Sequence, residues 1–392
     1  MSETSEKASG AQQAAPLQRD APAEPAQTPL SRLLASVEGC RRVLIVTHDH
    51  PDPDAISSAA ALRYLLKKLG GIRCKIAFGG SVVRPENRAM LKQLKIKIVP
   101  IQQIKLSAYR CFALVDTQPK AGNNSLPHRI TPSIVIDHHP PKPATKEAKF
   151  ADLRPAYGAT ATLLTEYLQE SGLPIPVHLA TALFYGIASE TQDLGREAGE
   201  PDNQAYLTLF PKVNKRILSN IRYARVSRNY FQTLETGLRN SFTYKNVIGS
   251  RLGEVSSQDV VPLIADLLVR LERMSWAIVL GRFDGRLFLS ARSNNTRARC
   301  GQLLRRVLGK RGSAGGHDMM AGGSVPLNEK TPEEIDALES DLIRRFMAGV
   351  GHKEIPKFEQ LVAPARLVPE TEVAKVSPAE EAPAKESATK GE

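Results

Sequence analysis

Ile134-Val135-Ile136-Asp137-His138-His139-Pro140-Pro141 carries three β-branched apolar residues into a carboxylate and two imidazoles, at the point where a buried strand should surface. Two upstream segments repeat the pattern. Residues 43–47 empty into His48-Asp49-His50-Pro51-Asp52-Pro53-Asp54, and residues 112–115 empty into Asp116. Around them, apolar runs alternate with amphipathic segments: a strand at 43–47, a helix at 55–69, a strand at 73–78, a helix at 86–94 and a strand at 96–101. The alternation predicts an α/β fold with a parallel sheet covered by helices. In such sheets ligands bind beyond the carboxyl ends of the strands, and all three clusters fall there.

The pattern turns helical from residue 158 and again over 177–188, and a polar, basic stretch at 214–239 predicts one long linking helix. Farther on, residues 241–255 read as a hairpin, 260–271 as a helix, and 276–280 and 287–291 as strands around the turn Asp284-Gly285. The expected organisation is two α/β domains facing each other across a cleft. A parallel-sheet domain at 31–213 carries the acid and imidazole clusters, a linker helix follows at 214–241, and a smaller mixed α/β domain occupies 242–350. Residues 1–30 and 364–392 are rich in Ala, Pro and Glu without periodicity, which predicts disordered tails.

A chain of 392 residues with 42% hydrophobic content is long enough for two cores. Both tails hold more acid than base, so the formal charge of +12 resides in the body between them. A basic body suits an anionic partner, phosphates being the commonest, though such residues also serve simply to solvate a surface. Only 5% of the residues are aromatic, which argues against an extended base-stacking groove. Cys40, Cys74, Cys111 and Cys300 are scattered without a Cys-x-x-Cys pair and are expected to be reduced thiols. The amino terminus lacks an apolar segment of signal-peptide type and no uncharged apolar stretch reaches membrane-spanning length, so a cytoplasmic protein without a membrane partner is expected.

His48, Asp52, Asp54, Asp116 and His138 form an oxygen-rich set with two imidazoles, which suits Mn²⁺ or Mg²⁺ better than a thiol-seeking ion. Five candidates exceed one closed structural site. They suit two divalent ions sharing a bridging carboxylate, an arrangement used in phosphoryl transfer, with Asp116 as the natural bridge. The competing reading makes Asp52 and Asp54 caps of the helix that starts beside them.

His48-x-x-x-Asp52-x-Asp54-Ala55, Val115-Asp116-Thr117, Asp137-His138-His139, Gly186-Ile187-Ala188-Ser189-Glu190-Thr191 and the later Gly315-Gly316-His317 resemble, in order and spacing, the DHH family of phosphoesterases with its DHH-associated carboxy-terminal domain. The resemblance spans roughly residues 38–330 and is nearest to the short stand-alone members that act on oligoribonucleotides and 3′-phosphoadenosine 5′-phosphate. It implies that His48 and Asp52 hold one manganese, Asp54 and His138 the other, and Asp116 both, with Glu190 completing the metal set. Asp137 would orient the histidines, and His139 would face the substrate phosphate. The implied activity is hydrolysis of short RNA or small nucleotide phosphates by a two-metal-activated hydroxide. Hydrolysis of cyclic or linear dinucleotides is an alternative, as is a phosphate-binding regulator with weakened catalysis. A homodimer is compatible with the sequence.

The fourth motif departs from the family, with Glu190 where Asp usually precedes Thr and with Asp193 three residues on. Both stay open as ligands at this point, Glu190 being preferred, and Arg196 is a candidate for meeting phosphate. In the second domain the resemblance assigns Arg292 to the substrate terminus. Gly315 and Gly316 would open their backbone N–H groups to an anion, with His317 as an added donor.

Overall fold

The computed structural model describes residues 28–82, 84–295, 297–316, 318–352 and 358–362. The chain divides into two compact units, Met1–Ala224 and Arg225–Glu392. In the first, β1 (Arg42–Val46), β2 (Arg73–Phe78), β3 (Val99–Pro100), β4 (Cys111–Val115), β5 (Ile134–Asp137) and β6 (Phe150–Leu153) form one sheet in the order β3-β2-β1-β4-β5-β6. Every pairing is parallel. The chain steps outward in one direction through β3, then starts again on the other side of β1 with β4. The reversal opens a crevice beyond the carboxyl ends of β1 and β4, the usual ligand position in sheets of this order.

The sheet is buried on both faces because β1, β4 and β5 are apolar at nearly every position, as parallel strands under helices must be. Helices α1 (Pro29–Ala35), α2 (Pro53–Gly70), α3 (Pro85–Gln93), α4 (Thr160–Glu170), α5 (Val177–Glu190), α6 (Glu200–Leu209) and α7 (Lys215–Arg222) complete the unit. Ile56, Leu62, Leu65 and Leu66 of α2 share a core with Val43 and Ile45, whereas Leu44, Val46, Leu114 and Val135 pack on the opposite face with Ile101 and Leu126.

In the second unit α8 (Arg228–Arg239) leads into a sheet of β7 (Ser241–Tyr244), β8 (Val247–Glu254), β9 (Trp276–Phe283), β10 (Arg286–Ser293), β11 (Ser313–Gly316), β12 (Met320–Pro326) and β13 (Glu359–Gln360). The order is β11-β12-β10-β9-β8-β7-β13, antiparallel except between β8 and β9. Helix α9 (Val260–Leu268) packs on one face, and α10 (Cys300–Leu308) and α11 (Pro332–Gly349) contribute the core of the other. The β9–β10 hairpin turns on Asp284 and Gly285 at φ +48° and +66°, the positive values a two-residue turn requires.

Four expectations are corrected. The strand expected at 96–101 shrinks to Val99–Pro100, because Leu94 and Ile96 are spent on packing into the core rather than on pairing. The amino-terminal tail ends earlier than residue 30: Thr28 caps α1, and Leu30 and Leu33 bury against the core. Residues 1–27 and 363–392 lie outside the described residues. The single linking helix is two, since the chain leaves helical geometry at Tyr223 and Ser227 caps a new helix by accepting from Tyr230 N. Finally, Cys40 and Cys111 are joined in a disulfide rather than left as thiols. Cys111 pairs beside Val43 in the β1–β4 ladder, and this brings it within a Cα separation of 6.3 Å from Cys40, inside the disulfide range. Cys74 and Cys300 are thiols, as expected.

Candidate metal centre

The three strand ends meet. After β1 the chain turns through His50 at φ +58° and reaches Asp52, whose Oδ1 caps α2 by accepting from Ala55 N at 3.0 Å. Its other oxygen, Oδ2, lies 3.6 Å from Nε2 of His48. At the end of β4, Asp116 takes the left-handed conformation, φ +60°, a cost of order 1 kcal/mol that a non-glycine residue bears only where its surroundings fix it. Its two oxygens face opposite groups. Oδ2 is 3.5 Å from His48 Nε2, and Oδ1 is 3.6 Å from His138 Nε2 and 3.8 Å from His139 Nδ1.

Backbone carbonyls select the tautomers. His48 Nδ1 lies 2.9 Å from the Asp49 carbonyl and His138 Nδ1 lies 3.1 Å from the Tyr157 carbonyl. A carbonyl only accepts, so each Nδ1 donates, and in the neutral ring Nε2 is left with its lone pair toward the carboxylates, the form a metal ligand needs. His139 is held differently, with Nδ1 at 2.7 Å from Asp137 Oδ1. Asp137 thus orients His139, whereas the Tyr157 carbonyl orients His138.

Asp54 lies in the field of Asp116 and His138, but its own oxygens are taken up by hydrogen bonds. Its Oδ2 accepts from Thr160 N and its Oδ1 from Ala161 N, both at 2.7 Å, with Ser58 Oγ also on Oδ1 at 3.2 Å. It caps α4 from the far end of the sequence, so the capping role weighed for Asp54 exists, on a helix other than the one it opens. Glu190, the last residue of α5, is held by Arg196, whose Nη2 donates to the Glu190 carbonyl at 2.5 Å and lies 3.5 Å from its carboxylate. Asp193 pairs instead with Arg222 and accepts from the Tyr206 hydroxyl. Arg196 is buried, and its Nε has no partner among the described residues.

Carboxylates dominate the electrostatics of the cluster. Burial would lower the pKa of His48, but the carboxylates of Asp52 and Asp116 outweigh it and raise it well above the ordinary value. Burial and the charge of Asp116 drive Asp54 up. Burial and the repulsion of Asp52 push Glu190 to about 7. For His139, the Asp137 hydrogen bond overcomes burial and lifts the ring to about 9. His48, Asp52 and Asp116 form one group able to hold an ion, and Asp116, His138 and His139 form another. Separations of 3.5 to 3.8 Å between these atoms are too long for hydrogen bonds and suit atoms around a shared ion. The residues present therefore fit a divalent metal, with Asp116 common to both groups.

Several contributors carried no recognisable motif. Buried Gln118 donates to Asp137 Oδ2 at 2.7 Å and accepts from Lys142 N and Thr145 Oγ1, tying down the loop that carries the histidines. Thr160 Oγ1 donates to Asp116 Oδ1 at 2.9 Å. An amide or hydroxyl placed just beyond a strand or at a helix start was the available signal, and many such residues have no role.

In the second unit, Arg292 near the end of β10 is buried and pairs with Asp266, with Nη1 also on Ser290 Oγ at 2.8 Å. Gly315 and Gly316 lie in edge strand β11, opposite Gly322 and Ala321 of β12, while Met320 pairs with Arg292. The glycines are thus separated from Arg292 by strand β12 at the same end of the sheet, in a ladder rather than in a turn that opens consecutive N–H groups. A Cβ on Gly316 would fall 2.3 Å from the Met320 carbonyl oxygen, so close packing alone demands glycine there. His317 lies outside the described residues.

Residues 42–187 match the DHH family, N-terminal domain, and residues 244–349 match the DHHA1 domain. The chain belongs to the DHH family. An uncharacterized protein of Methanocaldococcus jannaschii is 35% identical to it over 322 residues, 80% of this chain and 65% of that protein. A probable manganese-dependent inorganic pyrophosphatase of Enterococcus faecalis is 26% identical over 156 residues, 38% of this chain and 48% of that one. The chain therefore spans between about half and two thirds of the length of these relatives. The crystal structure of an exopolyphosphatase-related protein from Bacteroides fragilis shares the fold, with a TM-score of 0.66 at 17% identity over 83% of this chain and 98% of that one. The DHH model ends at residue 187, just short of Glu190, and the DHHA1 model covers Arg292 and the 315–316 glycines. Among the described residues no helix is long and apolar enough to cross a membrane.

Proposed function

We propose that this DHH protein is a metal-dependent phosphoesterase that hydrolyses short oligoribonucleotides or small nucleotide phosphates, using two divalent ions, with Mn²⁺ favoured over Mg²⁺. The carrying observation is that one carboxylate, Asp116, directs one oxygen at His48 and the other at His138. His48, Asp52 and Asp116 would hold the first ion. Asp116 and His138 would hold the second, with Glu190 beside them and Asp54 reaching it once its cap on α4 is shared. Bound cations would supply Lewis-acid stabilisation of the charge that builds on the phosphoryl oxygens.

The side chains do the rest. Asp137 and Gln118 fix the His139 ring where a phosphate held at the cluster would meet it, and the buried guanidinium of Arg196 stands beside Glu190 as a further positive charge near that anion. The basic excess of the body favours anionic substrates, and the low aromatic content favours short ones. A second reading, pyrophosphate as substrate, is favoured by the relatives named as manganese-dependent inorganic pyrophosphatases.

The test is a panel of dinucleotides, longer RNA, 3′-phosphoadenosine 5′-phosphate, cyclic dinucleotides and pyrophosphate, each with Mn²⁺, Mg²⁺ or chelator. Dinucleotide turnover that requires Mn²⁺, stops in chelator and falls at least about a thousandfold in Asp116→Asn is expected. Turnover that persists in chelator, or in that variant, would remove the metal centre from the reaction. Pyrophosphate hydrolysis alone would select the second reading.

A further inference from the structure

The first unit has a second concavity, of about 980 Å³, at the end of the sheet opposite the metal centre. Arg73 and Cys74, which line it, open β2, while the metal cluster follows the closing residues of β1 and β4. Helix α2 connects the two ends: Asp54 stands in its first turn and Lys67 in its last, and 13 residues of helical rise place them roughly 20 Å apart.

The lining has two parts. Ala60, Ile72, Leu94, Ile96 and Leu179 make an apolar floor, all of them buried. Around it stand Arg63, Lys67, Arg73, Lys95 and Lys97, and no acidic side chain lines the cavity among the described residues. None of the five cations joins a carboxylate in an ion pair among the described residues, although arginines elsewhere in the chain do so repeatedly. Arg63 is half-buried and fixed, its Nη1 donating to the Lys97 carbonyl at 3.1 Å. Burial lowers its pKa with no carboxylate to compensate. Arg63 is the half-buried member of the five and bears a desolvation cost that an anion would return, while Lys67, Arg73, Lys95 and Lys97 are exposed and add a concave wall of one sign that concentrates such an anion. The volume falls in the range of small-ligand sites, whose walls are apolar with a few placed polar groups.

We infer that this cavity binds a nucleoside di- or triphosphate at a site separate from the metal centre, with the base on the apolar floor and the phosphates on the Arg63, Arg73 and Lys97 side. An inorganic phosphate chain would satisfy the cations and leave the floor unused. A neighbouring hollow lined by Arg42, Lys75 and Lys105 shares Arg73, so a long RNA strand is the rival occupant. The inference does not depend on what the metal centre hydrolyses.

Calorimetric titration of the full chain with ADP in chelator tests it. Saturable binding is expected, unchanged in Asp116→Asn and weakened at least about tenfold in Arg73→Glu/Lys97→Glu, with pyrophosphate binding at least about tenfold more weakly than ADP. If the charge-reversed protein melts early, Arg73→Gln/Lys97→Gln takes its place, and the same loss is expected. Absence of ADP binding, equal affinity in the cavity variants, loss of binding in Asp116→Asn, or pyrophosphate binding as tightly as ADP would each overturn the assignment. So would a long single-stranded RNA that binds through Arg73 and Lys97 and is not displaced by ADP.

Discussion

The hydroxyl of Thr160, the first residue of α4, donates to Oδ1 of Asp116, the residue that follows β4, at 2.9 Å. The same threonine gives its backbone N–H to Asp54. One residue thus positions two carboxylates of the cluster, and the sheet end and the helix start cannot shift independently. Thr160→Val keeps the shape and the backbone bond but removes the hydroxyl donor. Loss of such a supporting bond typically costs 10- to 100-fold in metal affinity, so Mn²⁺ binding should weaken by about that factor, while Thr160→Ser restores it. Calorimetric Mn²⁺ titration reads the effect directly. Equal affinity in the valine variant would show that Asp116 is oriented without Thr160.

Glu190 and Asp193 lie three positions apart and take different partners. Arg196 folds back onto Glu190 within the field of Asp52 and Asp116, while Asp193 is engaged by Arg222 at a more exposed position. Glu190→Ala should therefore lower affinity for one of the two ions by roughly 10- to 100-fold, and Glu190→Asp should retain most of it. Asp193→Ala should leave metal binding unchanged and cost at most about 1 kcal/mol of stability, since the pair it breaks is largely solvated. Loss of an ion in Asp193→Ala would transfer the role to that residue.

The sheet was legible because β-branched runs and amphipathic spans alternate in the first unit: the strand Arg73–Phe78 and the hairpin at Asp284-Gly285 follow from pattern and turn chemistry alone. The convergence of His48, Asp116 and His138 was legible for the same reason, as three strands of one parallel sheet must end together. What the pattern could not carry is which distant polar group meets which. Asp54 reads as the start of its own helix yet caps α4, more than a hundred residues away. Cys40 and Cys111, 71 residues apart, become neighbours only once β4 lies beside β1. The glycines at 315 and 316 read as a backbone cradle for an anion, but close packing around Gly316 requires glycine there within a strand.

The peptide between Tyr157 and Gly158 couples a buried acid to the metal centre. Its carbonyl accepts from His138 Nδ1, and its N–H donates to Asp202 Oδ2 at 2.8 Å. Asp202 is wholly buried and also accepts from Gly199 N at 2.8 Å and Thr162 Oγ1 at 2.5 Å. Asp202→Ala would strand two buried donors and a half-buried one, Gly199 N, costing about 3 to 5 kcal/mol and lowering the melting temperature by roughly 10 °C. Asp202→Asn, which keeps one acceptor oxygen, should cost less. In both variants Mn²⁺ affinity should fall, because the carbonyl that sets the His138 ring loses its anchor. Reduced stability with unaltered Mn²⁺ affinity would confine Asp202 to a packing role.

Glu339 of α11 gives the second unit a pH dependence of definite sign. Its carboxylate is buried, with Arg251 and Arg282 each 4.0 Å away, and burial outweighs the two cations, so its pKa is raised from 4.5. A raised folded pKa means that the native state binds this proton more tightly than the unfolded chain does. The stability it contributes is therefore complete below the unfolded value of 4.5 and is lost as pH climbs through the higher folded value. Glu339→Gln removes that titration while leaving all others in place. Between about pH 4.5 and neutrality, the wild-type protein should lose more stability to urea than the glutamine variant does. The comparison is made between slopes, which cancels the remaining carboxylates. Parallel slopes would mean that Arg251 and Arg282 offset the burial completely.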